Sequence, residues 1–481
     1  MPGLSQDRLQ SLMTGGRAVD CAGKSTITII SERRNANKEI EGEQRMKDAI
    51  EAVWAAIDAD PDYVTEMTRD LVRIPSVNPK FETGDGINRE ADVQNYLEAR
   101  LREEGLQTSQ HEALPGRPNL IADQPGSEDR SLILCGHIDT VPVGNLGNWH
   151  RDPFGGEVSD GRLHGRGAVD MKSGVAACVA VAHFLRKAGV KLDGRLSIHA
   201  VVDEEAGGFG AMEAVRRGFL ARGAIITEPT WNKVIPAEGG LEWVRVTITG
   251  RSGHAGFRYN DIFPQPDVTG RLQPAINAIE LANRFLNLLR DFEQSRCRNN
   301  AHPLCPPGLA TINPGVIHGG VGLGEDGLPL IRTNPAMTPD KVVIDLDYKF
   351  LPHEKSADVR AEFEAFVKAF AETDPWLRSH PPEVKWELGG LHFPPMDTSV
   401  DHPLVQALVQ GHAVLASEPP VVTGFDAVTD AAHYAGAGVD AVIYGPSGDG
   451  FHGDNEYVDL ASLHRTVKVV AAAAITHCGL K

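Results

Sequence analysis

The chain is short of positive charge, aromatic rings, cysteine and long apolar runs, and each shortage excludes something. Lys and Arg number 47 against 65 Asp and Glu, leaving a net charge of −18 over 481 residues. Phosphate backbones and anionic lipid are bound by clustered positive charge, so neither nucleic acid nor a membrane is expected as a partner. The most apolar stretches, around 175–185 and 469–475, fall short of the roughly 18–20 residues that a membrane span requires. Asp7, Arg8, Arg17 and Asp20 interrupt the first 20 residues, which therefore lack the apolar core of a secretory signal. Six cysteines (Cys21, Cys135, Cys178, Cys297, Cys305 and Cys478) show no framework spacing and read as reduced thiols of a cytoplasmic protein. Aromatics make up only 6%, yet 41% hydrophobic and 23% charged residues are ordinary for a globular chain. At roughly 100–200 residues per domain, this length accommodates two or three domains.

What is present is an alternation of strands and helices. Residues 1–45 are polar and without periodicity, and read as a solvated extension. An amphipathic stretch follows over 46–71, with Ile50, Val53, Trp54, Ile57, Val64, Met67 and Leu71 at helical spacing. Helices are expected at 90–104, 172–188 and 210–217, and strands at 131–138, 195–202 and 224–227. Such alternation implies an α/β sheet with helices on both faces. Near Gly239 the texture changes: 241–250 alternates apolar and polar residues with period two, as a half-solvated antiparallel strand does. A helix over 275–293, strands near 309–317 and 341–350 and a helix over 356–372 complete a small α+β insert. The α/β texture then resumes with a helix at 403–416, a strand at 441–444 and a helix at 460–477. The expected architecture is a mixed-sheet catalytic domain (46–238 and 390–481) interrupted by a smaller α+β domain (239–389).

Histidines and carboxylates cluster where these strands end. His137 and Asp139 sit two apart at one strand terminus, on the same side of it. Asp170 precedes a helix, Asp203-Glu204-Glu205 follows another strand, Glu228 a third, and His452 lies beyond the strand at 441–444. Ligands of open α/β sheets bind outside the carboxyl ends of strands, so residues distant in sequence can converge there. Two histidines and three carboxylates without cysteine suit zinc or a similar dication. Five ligands and an additional Glu exceed what one ion needs, and fit two ions about 3.5–4 Å apart that share a carboxylate and activate a water.

The motifs Gly136-His-Ile-Asp-Thr-Val-Pro142, Trp149-His-Arg-Asp-Pro-Phe154, Gly165-Arg-Gly-Ala-Val-Asp-Met-Lys172 and Thr227-Glu-Pro-Thr230 resemble one family of two-metal metallopeptidases. Its members include acetylornithine deacetylase, succinyl-diaminopimelate desuccinylase, glutamate carboxypeptidase, aminoacylase and carnosinase-like dipeptidases. Gly250-Arg-Ser-Gly-His254, Thr311-Ile-Asn-Pro-Gly-Val-Ile-His-Gly-Gly320 and His452-Gly-Asp-Asn-Glu-Tyr-Val458 extend the resemblance from about residue 60 to the C-terminus. It implies two divalent ions per chain, zinc first, with cobalt or manganese also suited to the ligands. Asp170 would bridge, His137 and Glu228 would each complete one ion's shell, and Glu205 and His452 would fill the rest. Glu204 would be general base and acid, and Asp139 would orient His137. His254 would reach a partner subunit's site and stabilise an oxyanion, with the smaller domain mediating a homodimer. Asn313, Lys349 and Gly445 would face the substrate.

The expected function is hydrolysis of the amide C–N bond of an N-acyl amino acid or related small amide. The alternatives are a dipeptidase or carboxypeptidase, a hydrolase of an unusual aromatic amide or amine, and a metal-free binding protein on the same scaffold. Two departures from the family pattern bear on substrate. Lys349 and Ala432 stand where family members carry arginines, and lysine cannot supply a bidentate fork to a carboxylate. The stretch 257–273 is longer than usual and is expected to reshape the pocket entrance. Gly322-Leu-Gly-Glu-Asp-Gly327 matches a dinucleotide fingerprint literally, but Leu-Pro-Leu-Ile follows instead of a helix, and Glu325 and Asp326 would repel a pyrophosphate.

Overall fold

The computed structural model describes residues 26–257, 275–416 and 418–481. The chain divides into a first unit, Met1–Asp48, and a second, Ala49–Lys481, which holds nearly all the secondary structure. Of the first unit only helical residues from Thr26 onward are described, in a helix that runs on to Asp58. Helical structure therefore begins well before Met46, where the apolar periodicity starts. The amphipathic stretch is two helices rather than one: Pro61 precedes a second helix, Asp62–Val72, whose Val64, Met67, Leu71 and Val72 are buried.

A mixed nine-stranded sheet forms the centre of the second unit. Its strands run in the order Gln107–Leu114, Arg117–Gln124, Gly194–Val201, Ser127–His137, Gly223–Ile226, Asp440–Ile443, Val234–Glu238 and Met396–Asp397, with Val422–Phe425 also beside Val234–Glu238. Four consecutive strands (Gly194–Val201, Ser127–His137, Gly223–Ile226 and Asp440–Ile443) are mutually parallel. Parallel strands need helical crossovers, which cover both faces. On one face Ile133 and Cys135 pack with Ala211, Ala431 and Tyr434 from the helices Phe209–Arg216 and Ala431–Gly436. The helices Ser173–Lys187 and Leu460–Cys478 pack against the sheet and each other. The segment Ala168–Lys187 is long and apolar enough to cross a membrane, contrary to the expectation from the shorter run, but 89% of it is buried inside the protein. Its hydropathy is that of a core helix.

The chain leaves this sheet at Gly239 and returns between Phe393 and Met396, a few residues later than expected. Between them lies a six-stranded antiparallel sheet in the order Pro329–Ile331, Ile312–Leu323, Lys341–Phe350, Gly240–Thr249 and Glu383–Lys385, with His392–Phe393 also on Gly240–Thr249. The period-two pattern works as expected: Val244, Val246 and Ile248 are buried with Phe285, Phe363 and Phe370 of the helices Ala278–Asn299 and Ser356–Glu372. Trp243, on the other face, is 42% exposed. The glycine run 322–327 turns into the strand Pro329–Ile331, not into a helix, so the dinucleotide motif is a hairpin turn. The stretch 257–273 lies, but for Phe257, outside the described residues. Sequence patterning did not reveal the hairpin Gln107–Leu114/Arg117–Gln124, whose first strand is partly exposed and polar up to Glu112.

Candidate metal centre

The carboxyl ends of the four parallel strands deliver the chemistry. His137 is the last residue of Ser127–His137, Glu204 and Glu205 follow Gly194–Val201, Glu228 follows Gly223–Ile226, and the loop after Asp440–Ile443 carries His452. Asp170 reaches the same place from an irregular turn ahead of Ser173–Lys187, with non-helical φ −115° and ψ 95°. Gly445 is required by the crowding there, since a Cβ would stand 2.1 Å from the carbonyl oxygen of Glu228.

Asp170 lies between the two histidines. Its Oδ1 is 3.2 Å from Nε2 of His137, and its Oδ2 is 3.3 Å from Nε2 of His452. His137 also meets Glu228 Oε1 at 3.6 Å and Glu204 Oε2 at 3.9 Å, whereas His452 meets Glu205 Oε2 at 2.9 Å. Two groups of ligand atoms close enough to hold an ion result: His137, Asp170 and Glu205, and His137, Glu204 and Glu228. Asp139 turns elsewhere. His137 Nδ1 lies 3.0 Å from its main-chain carbonyl and 3.7 Å from its carboxylate. The carboxylate of Asp139 accepts instead from Asn78 Nδ2 and from the N–H of Glu204.

Four largely buried carboxylates thus gather around the buried ring of His137 and the more exposed ring of His452, and their titration reflects it. Burial raises Glu204 and Glu228 well above the usual carboxylate range, and neighbouring carboxylates add to the rise. Burial and the charge of Asp170 push Glu205 up to about 7. Asp170 goes the other way: its hydrogen bonds to His137 and His452 outweigh burial and hold it below its ordinary value. Hydrogen bonds to Asp170 and Glu205 raise His452 to about 10. Glu228 Oε1 is buried without a hydrogen-bond partner. Excess buried negative charge and an orphaned carboxylate oxygen are what divalent cations would neutralise, so the donor set fits a metal.

Behind Glu204 lies a network that local sequence did not reveal. Asp203 adopts a left-handed conformation (φ 71°, ψ 20°), which costs a non-glycine residue about 1–3 kcal/mol. Arg117, Lys80 and Asn78 all donate to its carboxylate, and Arg117 also forks onto Glu90. The residues of this network come from separate elements, and no spacing rule connects them.

Other anticipated residues are not among these ligand atoms. His254, on the short strand Gly253–His254 of the insert, is exposed and accepts from the N–H of Gly256. It belongs to neither group of ligand atoms among the described residues. Asn313 is exposed opposite Asp347. Lys349 Nζ donates to the carbonyl of Asp426 at 3.4 Å, and Ala432 is fully buried against Leu241, Leu391 and Phe393.

Comparison with known proteins identifies the family and the fold. The chain is 29% identical over 449 residues to N-formyl-4-amino-5-aminomethyl-2-methylpyrimidine deformylase of Bacillus subtilis, covering 91% of this chain and 99% of that one. It is 30% identical over 337 residues to aminoacylase-1 of Sus scrofa, covering 64% and 75%. Its fold matches the YXEP protein of Bacillus subtilis, described as a dinuclear metal binding peptidase from the M20 family. That match has a TM-score of 0.60 at 15% identity, over 87% of this chain and 98% of the other. The model of Peptidase family M20/M25/M40 matches residues 133–476, and the chain belongs to that family of amide-bond hydrolases.

Proposed function

We propose that the protein is a two-metal amidohydrolase that releases a carboxylic acid and an amine from an N-acylated small molecule. One observation carries this reading: the two carboxylate oxygens of Asp170 face different histidines, at 3.2 and 3.3 Å, as a shared ligand between two ions would. His137, Asp170, Glu205, Glu228 and His452 would hold the two ions, with Asp170 as the ligand they would share. Bound zinc, cobalt or manganese would lower the pKa of a water and polarise the scissile carbonyl. Glu204 takes the proton from the attacking water and returns it to the departing nitrogen. Its raised proton affinity suits both halves of that transfer. Asp139 anchors the N–H of Glu204 and, through its carbonyl, the ring of His137.

The smaller domain is proposed to mediate a homodimer and to bring His254 to the partner's site, where it would stabilise the oxyanion. Exposed apolar residues on the insert favour the dimer: Val316, Ile317, Leu323, Leu330 and Ile331 on the outer strands and Ile279 on the adjoining helix.

A second reading narrows the substrate. Asn313, Lys349 and Gly445 are proposed to face it, yet Lys349 and Ala432 stand where family members carry arginines, and neither offers a fork to a substrate carboxylate. Ala432 belongs to an apolar cluster and Lys349 is engaged by the Asp426 carbonyl. A formylated or acylated heteroaromatic amine fits this better than an N-acyl amino acid, as does the full-length similarity to a pyrimidine deformylase. A mass-spectrometric screen of metal-reconstituted protein against N-acyl amino acids, N-formyl heteroaromatic amines and dipeptides tests both readings. Acid and amine should be released from the formyl amides; cleavage of dipeptides alone would overturn the deacylase reading.

A further inference from the structure

Glu456 lies four residues beyond His452, and its carboxylate is buried with all of its hydrogen bonds directed into the loop of Asp170. Oε2 accepts from Arg166 Nη1 at 2.5 Å and from the N–H of Gly167 at 2.9 Å. Oε1 accepts from the N–H groups of Val169 (2.9 Å) and Asp170 (3.1 Å). The Glu456 carbonyl accepts from the N–H of Gly165, and the strand Tyr457–Asp459 pairs with Arg162–His164, so main chain and side chain fasten the same two segments. Arg166 extends the connection. Its Nη2 donates to the carbonyl of Gly453, next to His452, and to that of Pro142, in the segment after His137 and Asp139. One buried ion pair thereby joins the three loops that carry His137, Asp170 and His452.

The irregular turn at 167–170 forms no helical ladder that would satisfy its N–H groups. Gly167 is left-handed (φ 79°), and a Cβ there would lie 2.6 Å from Thr140. A buried N–H without an acceptor is costly, and a carboxylate that accepts three of them while neutralising an arginine is a strong anchor. The outcome of that anchoring is the orientation of Asp170, whose two oxygens must each face a different histidine.

Resting on the two-metal reading above, we infer that Glu456 is a positioning residue that aims the bridging carboxylate of Asp170, with Arg166 setting the spacing of the loops on either side. Residues that orient metal ligands typically contribute about 10–100-fold to metal affinity. Glu456→Gln keeps the volume but presents an amide N–H₂ to donors that need an acceptor.

The test is titration of the full-length metal-free chain with Co²⁺, followed by calorimetry and by the visible d–d absorption, well below the melting temperature of each variant. The parent should bind two ions. Glu456→Gln should bind at least one of them about 10–100-fold more weakly, and the d–d bands of its loaded form should shift. A purely structural role would lower the melting temperature and leave affinity and spectrum unchanged, which would overturn the inference. If Glu456→Gln does not fold, Arg166→Lys takes its place. That variant keeps a cation beside Glu456 but loses the fork to Gly453 and Pro142, and unchanged Co²⁺ affinity and spectrum would again overturn the inference. A parent chain that binds no Co²⁺ would overturn the two-metal reading itself and the inference with it.

Discussion

The main-chain N–H of Glu204 donates to Oδ1 of Asp139 at 3.2 Å, so the residue proposed as proton shuttle is anchored to the turn that follows His137. Its neighbour Glu205 diverges to His452 at 2.9 Å, while Glu204 faces His137 at 3.9 Å. The adjacent glutamates thus approach different histidines. Glu204→Gln should lower kcat by about 10²–10⁴-fold with little change in KM or metal content. Glu205→Gln should lose metal. Metal stoichiometry and kcat on both variants decide; loss of metal from the first and retention by the second would reverse the assignment.

Chelation should abolish activity, and Zn²⁺, Co²⁺ or Mn²⁺ should restore it. Because Glu204, Glu205 and Glu228 are crowded and buried, removing the cations should also lower the melting temperature. Calorimetric scans with and without chelator check this. Full activity in rigorously metal-free protein would sink the metal reading.

His254 is exposed and outside the cluster of its own chain. If it completes a partner's site, mixing inactive His254→Ala with inactive Glu204→Ala chains should recover part of the activity through hybrid dimers. Isolated monomers of the parent that remained fully active would contradict it.

His199 is buried in the sheet between Tyr434 and Ser197, its ring nitrogens 2.7 and 2.9 Å from their hydroxyls. Burial depresses its pKa from 6.5 to about 3. The unfolded chain therefore binds the extra proton between those values. The contribution of His199 to stability is complete above about pH 6.5 and is lost as pH falls toward 3. From pH 7 to pH 5 this costs about 2 kcal/mol. Urea unfolding at both pH values should show a smaller loss for His199→Gln than for the parent; equal losses would refute the assignment.

Local periodicity and punctuation determined most of the elements. The strand Lys341–Phe350 and the helix Ser356–Glu372 fall where the sequence pattern puts them, because alternation and the 3.6-residue repeat are properties of a few consecutive residues. The candidate ligand residues were legible for a related reason: the parallel strands of an α/β sheet all deliver their carboxyl ends to one edge, so His137, Glu205, Glu228 and His452 could be located by where strands stop. Tertiary structure alone decided what surrounds them. Nothing near Asp203 indicates that Arg117, Lys80 and Asn78 hold its left-handed backbone, and nothing near Glu456 indicates that its carboxylate turns inward onto the N–H groups of 167–170. Such contacts join residues up to hundreds of positions apart. They exist because a buried charge or N–H must find a partner wherever the fold brings one, and that requirement leaves no local pattern in the sequence.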